Sequence, residues 1–417
     1  MSGPADLHGA LVPAIFAIVY LGMILGGLPF LHLDRTGVAL LGAIAVVGFG
    51  ALTPEQAARA IHLPTILLLF SFMVISAQMR LGGFYTWVTQ RVAALPLGPA
   101  ALLGAVIVVV ALLSAVFSND IVCLAVAPVL AQACRQRRLD PVPYLLALAC
   151  AANIGSALTL IGNPQNMLIG QTLKLPFAQY TLDAAPPVIA GLLVLWALLV
   201  VPARRAAAGA PAAAVAPPSA DDLPPFDRWQ TAKGLAVAAA LVGVFLFTDW
   251  PHDVAALVGA GLLLLSQRFH SSRVMGLIDW ELLILFIGLF VVNHAFERTG
   301  LAAQAVQALA AAGVSLGDAV PLFVATLGLS NLVSNVPAVM LLLPLAGEPH
   351  AGPLLALVST LAGNLLIVGS IANIIVVDAA RRQGIDIDWR RHARTGVPVT
   401  LATLAIVALW LAWRFGD

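Results

Sequence analysis

Residues 118–128 read SNDIVCLAVAP, and the way they are read decides the fold. An apolar run from Leu102 to Leu113 leads into them, and apolar character resumes directly after Asp120. Three hydrogen-bonding side chains, one of them ionisable, thus sit inside a hydrophobic stretch of about 98–133. That stretch is too long for one crossing of a hydrocarbon core about 30 Å thick.

Composition makes lipid the solvent for most of the chain. Of its 417 residues 61% are hydrophobic and 10% charged, where a soluble domain carries about 25% charged residues. The net charge of +1 argues against a nucleic-acid partner. Cys123, Cys134 and Cys150 all lie in or beside apolar segments and read as small packing residues rather than a disulfide or metal set. The first apolar stretch follows MSGPADLHGA, which has no Lys or Arg, so it reads as a membrane span rather than a signal peptide.

Apolar stretches of spanning length fall near 11–31, 36–52, 63–80, 142–173 and 184–203, then near 231–248, 252–268, 281–297, 352–378 and 396–414. A second over-long stretch, about 318–346, is broken at Ser334-Asn335-Val336. Short amphipathic pieces, Phe84–Leu95 and Leu301–Ala312, precede the two broken stretches. The expected units are 1–204, an Ala/Pro-rich linker at 205–230 that includes Asp221 and Asp222, and 231–417.

The two halves share a pattern. Phe70, Ser118-Asn119 and Pro128 recur as Phe286, Ser334-Asn335 and Pro344 at one constant offset. Arg80 and Gly82 recur as Arg298 and Gly300, and Gly162 and Asn166 as Gly369 and Asn373. The matches keep their order and fall on the rarer polar, Gly and Pro positions. Five crossings per half is an odd number, so the second half is expected upside down, with the broken stretches as re-entrant hairpins. The fold class is therefore an all-α polytopic membrane protein made of two inverted repeats of five spans, each with a re-entrant hairpin and a broken helix. Placing both termini on the non-cytoplasmic side puts every basic residue except Arg59, Lys174, Arg298 and Arg414 in the cytoplasm. Arg135-Gln136-Arg137-Arg138 reads as a topology-setting cluster. Trp229, Trp250, Trp280, Trp389 and Trp413 fall near span ends, as interface anchors do.

Irregular backbone at membrane depth is tolerated only where protein or a water-filled cavity completes its hydrogen bonds. Four such breaks are expected. Two are the hairpin tips. The others are Asn153-Ile154-Gly155-Ser156 through Thr159 with Gly162-Asn163-Pro164-Gln165-Asn166, and Gly363-Asn364 with Gly369-Ser370-Ile371-Ala372-Asn373. Pro164 removes a backbone donor and interrupts its helix. Hydroxyls, amides and freed carbonyls suit a hard monovalent cation, Na⁺, at Ser118, Asn119, Asp120, Gly155, Ser156, Asn335 and Asn364, or a proton on Asp120. The same groups and the helix N-termini suit a small anion or neutral oxyacid at Ser118, Asn119, Gly162, Asn163, Pro164, Ser334, Asn335, Gly369, Ser370 and Asn373. No Lys or Arg is expected at that depth. Asp120 repels an anion when ionised and unoccupied, so a proton or cation there would gate binding. No cofactor is expected beyond a bound Na⁺.

Plainer readings stand beside these. Ser118-Asn119-Asp120 could be helix capping without a ligand. Gly162-Asn163-Pro164 could be a simple kink, and Ser114 and Ser156 could bond back to their own helices. His294 and Glu297 sit near a span end and read as interfacial. A membrane-embedded enzyme lacks a catalytic constellation here. A passive channel fits two oppositely opening hairpins less well than alternating access does.

On the paired Ser-Asn tips, NIGSALTLIGNPQN (153–166) and AGNLLIVGSIAN (362–373), the chain resembles the ion transporter superfamily of divalent-anion:sodium symporters, citrate carriers, arsenite permeases and sodium–proton antiporters. The resemblance spans nearly the whole chain. It implies secondary transport in the cytoplasmic membrane by an elevator-like homodimer. The first three spans of each half would be its scaffold, and the hairpins with the last two spans its moving unit. It implicates Ser118, Asn119, Ser334, Asn335, Gly162, Asn163, Pro164, Gly369 and Ser370 in binding sodium and substrate carboxylate. In the sodium/dicarboxylate branch each tip reads Ser-Asn-Thr. Here Asp120 looks more like the Asn-Asp of arsenite permeases, and Val336 offers no hydroxyl. Anion symport with Na⁺ or H⁺ is the main expectation, with arsenite-type export or sodium–proton exchange as the alternative.

Overall fold

The computed structural model describes residues 4–28, 31–208, 226–266 and 268–416. In the first half, α1 (Pro4–Leu25) leads to a two-residue antiparallel pair, β1 (Gly27–Leu28) with β2 (Leu33–Asp34). Next come α2 (Arg35–Gly48), α3 (Pro54–Ala60), α4 (Leu63–Leu81), α5 (Phe84–Ala93), α6 (Pro99–Val116), α7 (Asn119–Gln136), α8 (Pro141–Ser156), α9 (Pro164–Leu173) and α10 (Phe177–Ala208). The second half holds α11 (Arg228–Phe247), α12 (His252–Leu264), α13 (Ser271–Met275), α14 (Trp280–Glu297), α15 (Leu301–Ala311) and α16 (Ala319–Val333). It continues with α17 (Asn335–Leu342), α18 (Ala351–Ala362), α19 (Ile371–Arg382) and α20 (Trp389–Phe415).

Scarce carboxylates start many of these helices. Asp34, Asp140, Asp279 and Asp388 each accept from a first-turn amide, at 2.7–2.9 Å. Asp227 accepts from Trp229 and Gln230. Each cap satisfies an amide the helix leaves free and places negative charge at the positive end of its dipole. Charge is thereby kept to helix ends, and the apolar interiors are free to face lipid.

Among the described residues six helices are long and apolar enough to cross a membrane: α4, α6, α10, α11, α14 and α20. Three spans are shorter than the sequence suggests. The first ends at Leu25 rather than near 31, where Gly26 and Gly27 turn the chain into the β pair; this pair also departs from the expected all-α fold. The spans expected to reach 52 and 268 stop at Gly48 and Leu264. At 14 residues α2 is about 21 Å long. The expected linker is helical at both edges, and 209–225, with Asp221 and Asp222, lie outside the described residues.

Two packing groups emerge. In one, α2 lies on α14, α4 on α12, and α1 and α11 join at the edges. In the other, α8 is gripped by α6, α7 and α10, α19 lies on α7, α16 on α18, and α20 on α10. The groups meet where α9 and α7 touch α4, where α17 touches α14, where α16 touches α1, and where α10 touches α11. Arg135 and Arg137, read from sequence as topology charges, also tie the second group together. The Arg137 guanidinium donates to the carbonyls of Ala93, Leu95 and Leu97, and Arg135 donates to Gln383 O. The tightest helix contact is α6 on α8. A Cβ on Gly155 would collide with the Ala111 backbone, so only hydrogen there lets the two helices touch.

Gly155→Ala is therefore expected to lower the thermal midpoint of the purified protein in detergent, at a cost of about 1–3 kcal/mol from forced separation of α6 and α8. Gly243→Ala, in open space on α11, should leave it unchanged or slightly raised.

Candidate functional site

Four chain breaks converge on one buried cluster of amides and hydroxyls. Its hub is Asn153, near the end of α8, where the helix stops before residues 157–163. The Asn153 side chain is saturated. Its Oδ1 accepts from Asn119 Nδ2 at 3.2 Å and Ser370 Oγ at 2.9 Å, and its Nδ2 donates to Asn364 Oδ1 at 2.9 Å and Asn373 Oδ1 at 3.2 Å. One residue thus joins the tip between α6 and α7, the end of α18 and the start of α19.

The first break is held from both sides. Asn163 caps α9 by accepting from Asn166 N at 2.9 Å, and its Nδ2 donates to Ser156 Oγ and Thr360 Oγ1. Thr360, on α18, also accepts from Gln165 and donates to Asn166 Oδ1. Tyr180 on α10 donates to Ala157 O at 2.7 Å, meeting a carbonyl that the end of α8 leaves free. Asn119 N donates to Gly162 O, so the hairpin tip completes the break's backbone. A Cβ on Gly162 would strike Ser156 O, so this close pass needs glycine. The second break is held the same way. Asn166 Nδ2 donates to Thr159 O and Asn373 Nδ2 to Leu366 O, each seven residues back. His392 on α20 contacts Asn364 O through Nε2 at 3.1 Å.

Of the residues singled out from sequence, Asn119, Ser156, Gly162, Asn163, Asn364, Ser370 and Asn373 enter this network. Asn335 and Gly369 adjoin it: a Cβ on Gly363 would lie 3.1 Å from Asn335 Nδ2 and 3.3 Å from Ser370 Cβ, and one on Gly369 would lie 3.2 Å from Asn331 Oδ1. Pro164 opens α9. Gly155 sits on the α6 side, and its carbonyl accepts from Leu158 N within the turn. Ser118 and Ser334 precede α7 and α17, but neither side chain caps its helix, so the plain capping reading is not what these serines do. Ser334 has φ of 78°, a strained conformation for a residue with a Cβ. Half-buried Asp120, in the first turn of α7, enters none of the three ion pairs among the described residues. Ser156 bonds back to Asn153 O. Ser114 Oγ is buried without a partner among the described residues.

Sequence reading passed over the site roles of Asn331, Thr360, Tyr180 and His392. Thr360 carried a signal, since Ser359-Thr360 interrupts an apolar run just before Gly363-Asn364. Tyr180 and His392 sit far along the chain from the carbonyls they meet and carried none.

The cluster is unfinished in a specific way. Among the described residues, Asn119 Oδ1, Asn331 Oδ1 and Asn335 Oδ1 are buried acceptors without donors, and Asn364 Nδ2 is a buried donor without an acceptor. Each such group costs about 1–3 kcal/mol when left alone. No Lys or Arg enters the network. The first break is buried almost throughout, whereas the second exposes Leu366 and Val368 at 42% and 54%.

The sequence signature described as citrate transporter matches residues 16–362. The 46 kDa membrane protein of Mycobacterium leprae is 30% identical over 92% of this chain and 95% of its own. The silicon efflux transporter LSI3 of rice, Oryza sativa subsp. japonica, is 29% identical over 94% of this chain and 95% of its own. Among solved structures the YdaH transporter of Alcanivorax borkumensis shares the fold, with a TM-score of 0.56 over 99% of this chain and 98% of that one, at 16% identity.

Asn153→Leu strips four groups of their partner and is expected to lower the thermal midpoint well beyond Ser370→Ala, which deletes one bond. Equal shifts in the two variants would show that Asn153 is no hub.

Proposed function

From the premise that the chain belongs to the citrate transporter family, we propose that it is a cation-coupled secondary transporter of a small oxyacid. The cargo is held at the Asn119–Asn153–Asn364 centre. One observation carries this reading: a buried polar cluster built from both halves ends in three unpaired oxygens and one unpaired amide nitrogen. The oxygens suit Na⁺ or hydroxyl donors, and the nitrogen suits an acidic or carbonyl oxygen. Asp120, at the edge of the first tip, is the group to carry a proton or face the cation.

The division into two packing groups supports a movement of one against the other. The halves are inverted repeats, and the matching seven-residue back-bonds of Asn166 and Asn373 support that relation. The group holding α6–α10 and α16–α20 moves against the group of α1, α2, α4, α11, α12 and α14, in an elevator-type alternating access. A homodimer with both termini outside the cytoplasm completes the proposal.

A second reading, export of an uncharged oxyacid, has its own support. The network carries no cationic side chain to balance a polyanion, and the open side of the second break presents Leu366 and Val368. A hydroxyl-bearing neutral acid supplies donors and acceptors together. The silicon efflux function named for the rice relative is of that kind.

Proteoliposomes loaded with sodium or pH gradients and offered citrate, a dicarboxylate, sulfate, arsenite or silicic acid separate these readings. Saturable, gradient-driven flux is expected, falling at least about tenfold in Asn119→Ala and Asn335→Ala, as loss of one or two buried contacts implies. Asp120→Asn should remove the dependence on the driving cation. Single-channel conductance would contradict the carrier reading. Flux of silicic acid or arsenite without citrate would select the second one.

A further inference from the structure

An apolar cavity, away from the amide centre, lies where the first turns of α16 and α18 meet the last turns of α20. It holds about 360 Å³ and is lined by Val320, Phe323, Leu354, Leu411 and Phe415, with His350 as its main polar group. His350 Nε2 is buried and has no hydrogen-bond partner among the described residues. Such a nitrogen at the end of an apolar slot is costly unless an acceptor reaches it. The level of the slot is marked by helix ends and by Trp413, 73% exposed, whose ring lies 5.0 Å from that of Trp410. Indole rings favour the zone between acyl chains and headgroups. At the same end Asp318 and Glu348 are exposed and enter no ion pair among the described residues. The one basic group on the neighbouring turn, Arg414, is paired with Asp183 at 3.0 Å.

We propose that this slot binds one phospholipid with an ethanolamine headgroup: an acyl chain fills the apolar cavity, an ester or phosphate oxygen accepts from His350 Nε2, and the ammonium group faces Asp318 and Glu348. Asp318 and Glu348, close along the chain to the lining residues Ala319 and His350, select an amine-bearing headgroup over an anionic one. The lipid wedges α16 against α18 and α20. Because α16 is the first arm of the second hairpin, occupancy stiffens the element that carries Ser334 and Asn335.

The test uses the full chain purified in detergent, stripped of lipid, and melted with phosphatidylethanolamine or phosphatidylglycerol added. Phosphatidylethanolamine is expected to raise the midpoint by at least about 3 °C, and phosphatidylglycerol by less than half of that. Val320→Trp fills the slot from its exposed edge, and His350→Leu removes the unpaired nitrogen. Both should melt like the parent without lipid yet lose most of the shift. Asp318→Asn with Glu348→Gln should keep a shift but erase the headgroup preference. Native mass spectrometry should find one retained phosphatidylethanolamine in the parent and none in Val320→Trp. Equal effects of the two lipids on the parent, or a full shift in either slot variant, would overturn the proposal.

Discussion

A polypeptide that stops being helical inside a membrane must find partners for the amides and carbonyls it frees, because lipid offers none. That requirement organises this molecule. The ends of α8 and α18 and the starts of α7, α9 and α19 lie close enough for one asparagine, Asn153, to serve three of the breaks at once. Tyr180, Thr360 and His392 reach in from α10, α18 and α20 to meet what remains. The long helices can be plain and apolar because the breaks are resolved among themselves.

The proposed function rests on incomplete resolution. A fully satisfied cluster would only be a stable core. This one leaves acceptors on Asn119, Asn331 and Asn335 and a donor on Asn364, and holds Ser334 in a strained backbone conformation. Unpaired groups and strain next to each other are what a pre-formed site for a removable ligand needs. The packing group that contains the cluster meets the other through α7, α9, α10, α16 and α17, and the proposed movement has to slide those contacts.

Much of this was legible in the sequence because polar residues are rare enough there to carry information. The over-long stretches at about 98–133 and 318–346 are each divided into two helices, α6–α7 and α16–α17, and the short amphipathic pieces are α5 and α15. The breaks were visible as Asn, Gly and Pro inside apolar runs. Partnership was not. Nothing local ties Thr360 to Asn163, or Tyr180 to Ala157, since those bonds are set by how separate helices dock. Gly155 showed the opposite failure: it lies among the polar residues of a break, yet the structure uses it to bring α6 onto α8. The short ends of α2 and α12 were hidden by apolar residues that continue past the last helical turn.

The central claim, that the two halves meet side chain to side chain at Asn153, is tested most directly by cross-linking. In a background lacking Cys123, Cys134 and Cys150, thiols introduced as Asn153→Cys and Asn364→Cys replace amides 2.9 Å apart. In native membranes, mercuric ion or a short bifunctional reagent should join them in high yield, trapping the protein and stopping transport. A pair that stays unlinked, while Asn119→Cys with Asn153→Cys within the first half is joined, would place the halves apart and leave the cargo without its shared centre.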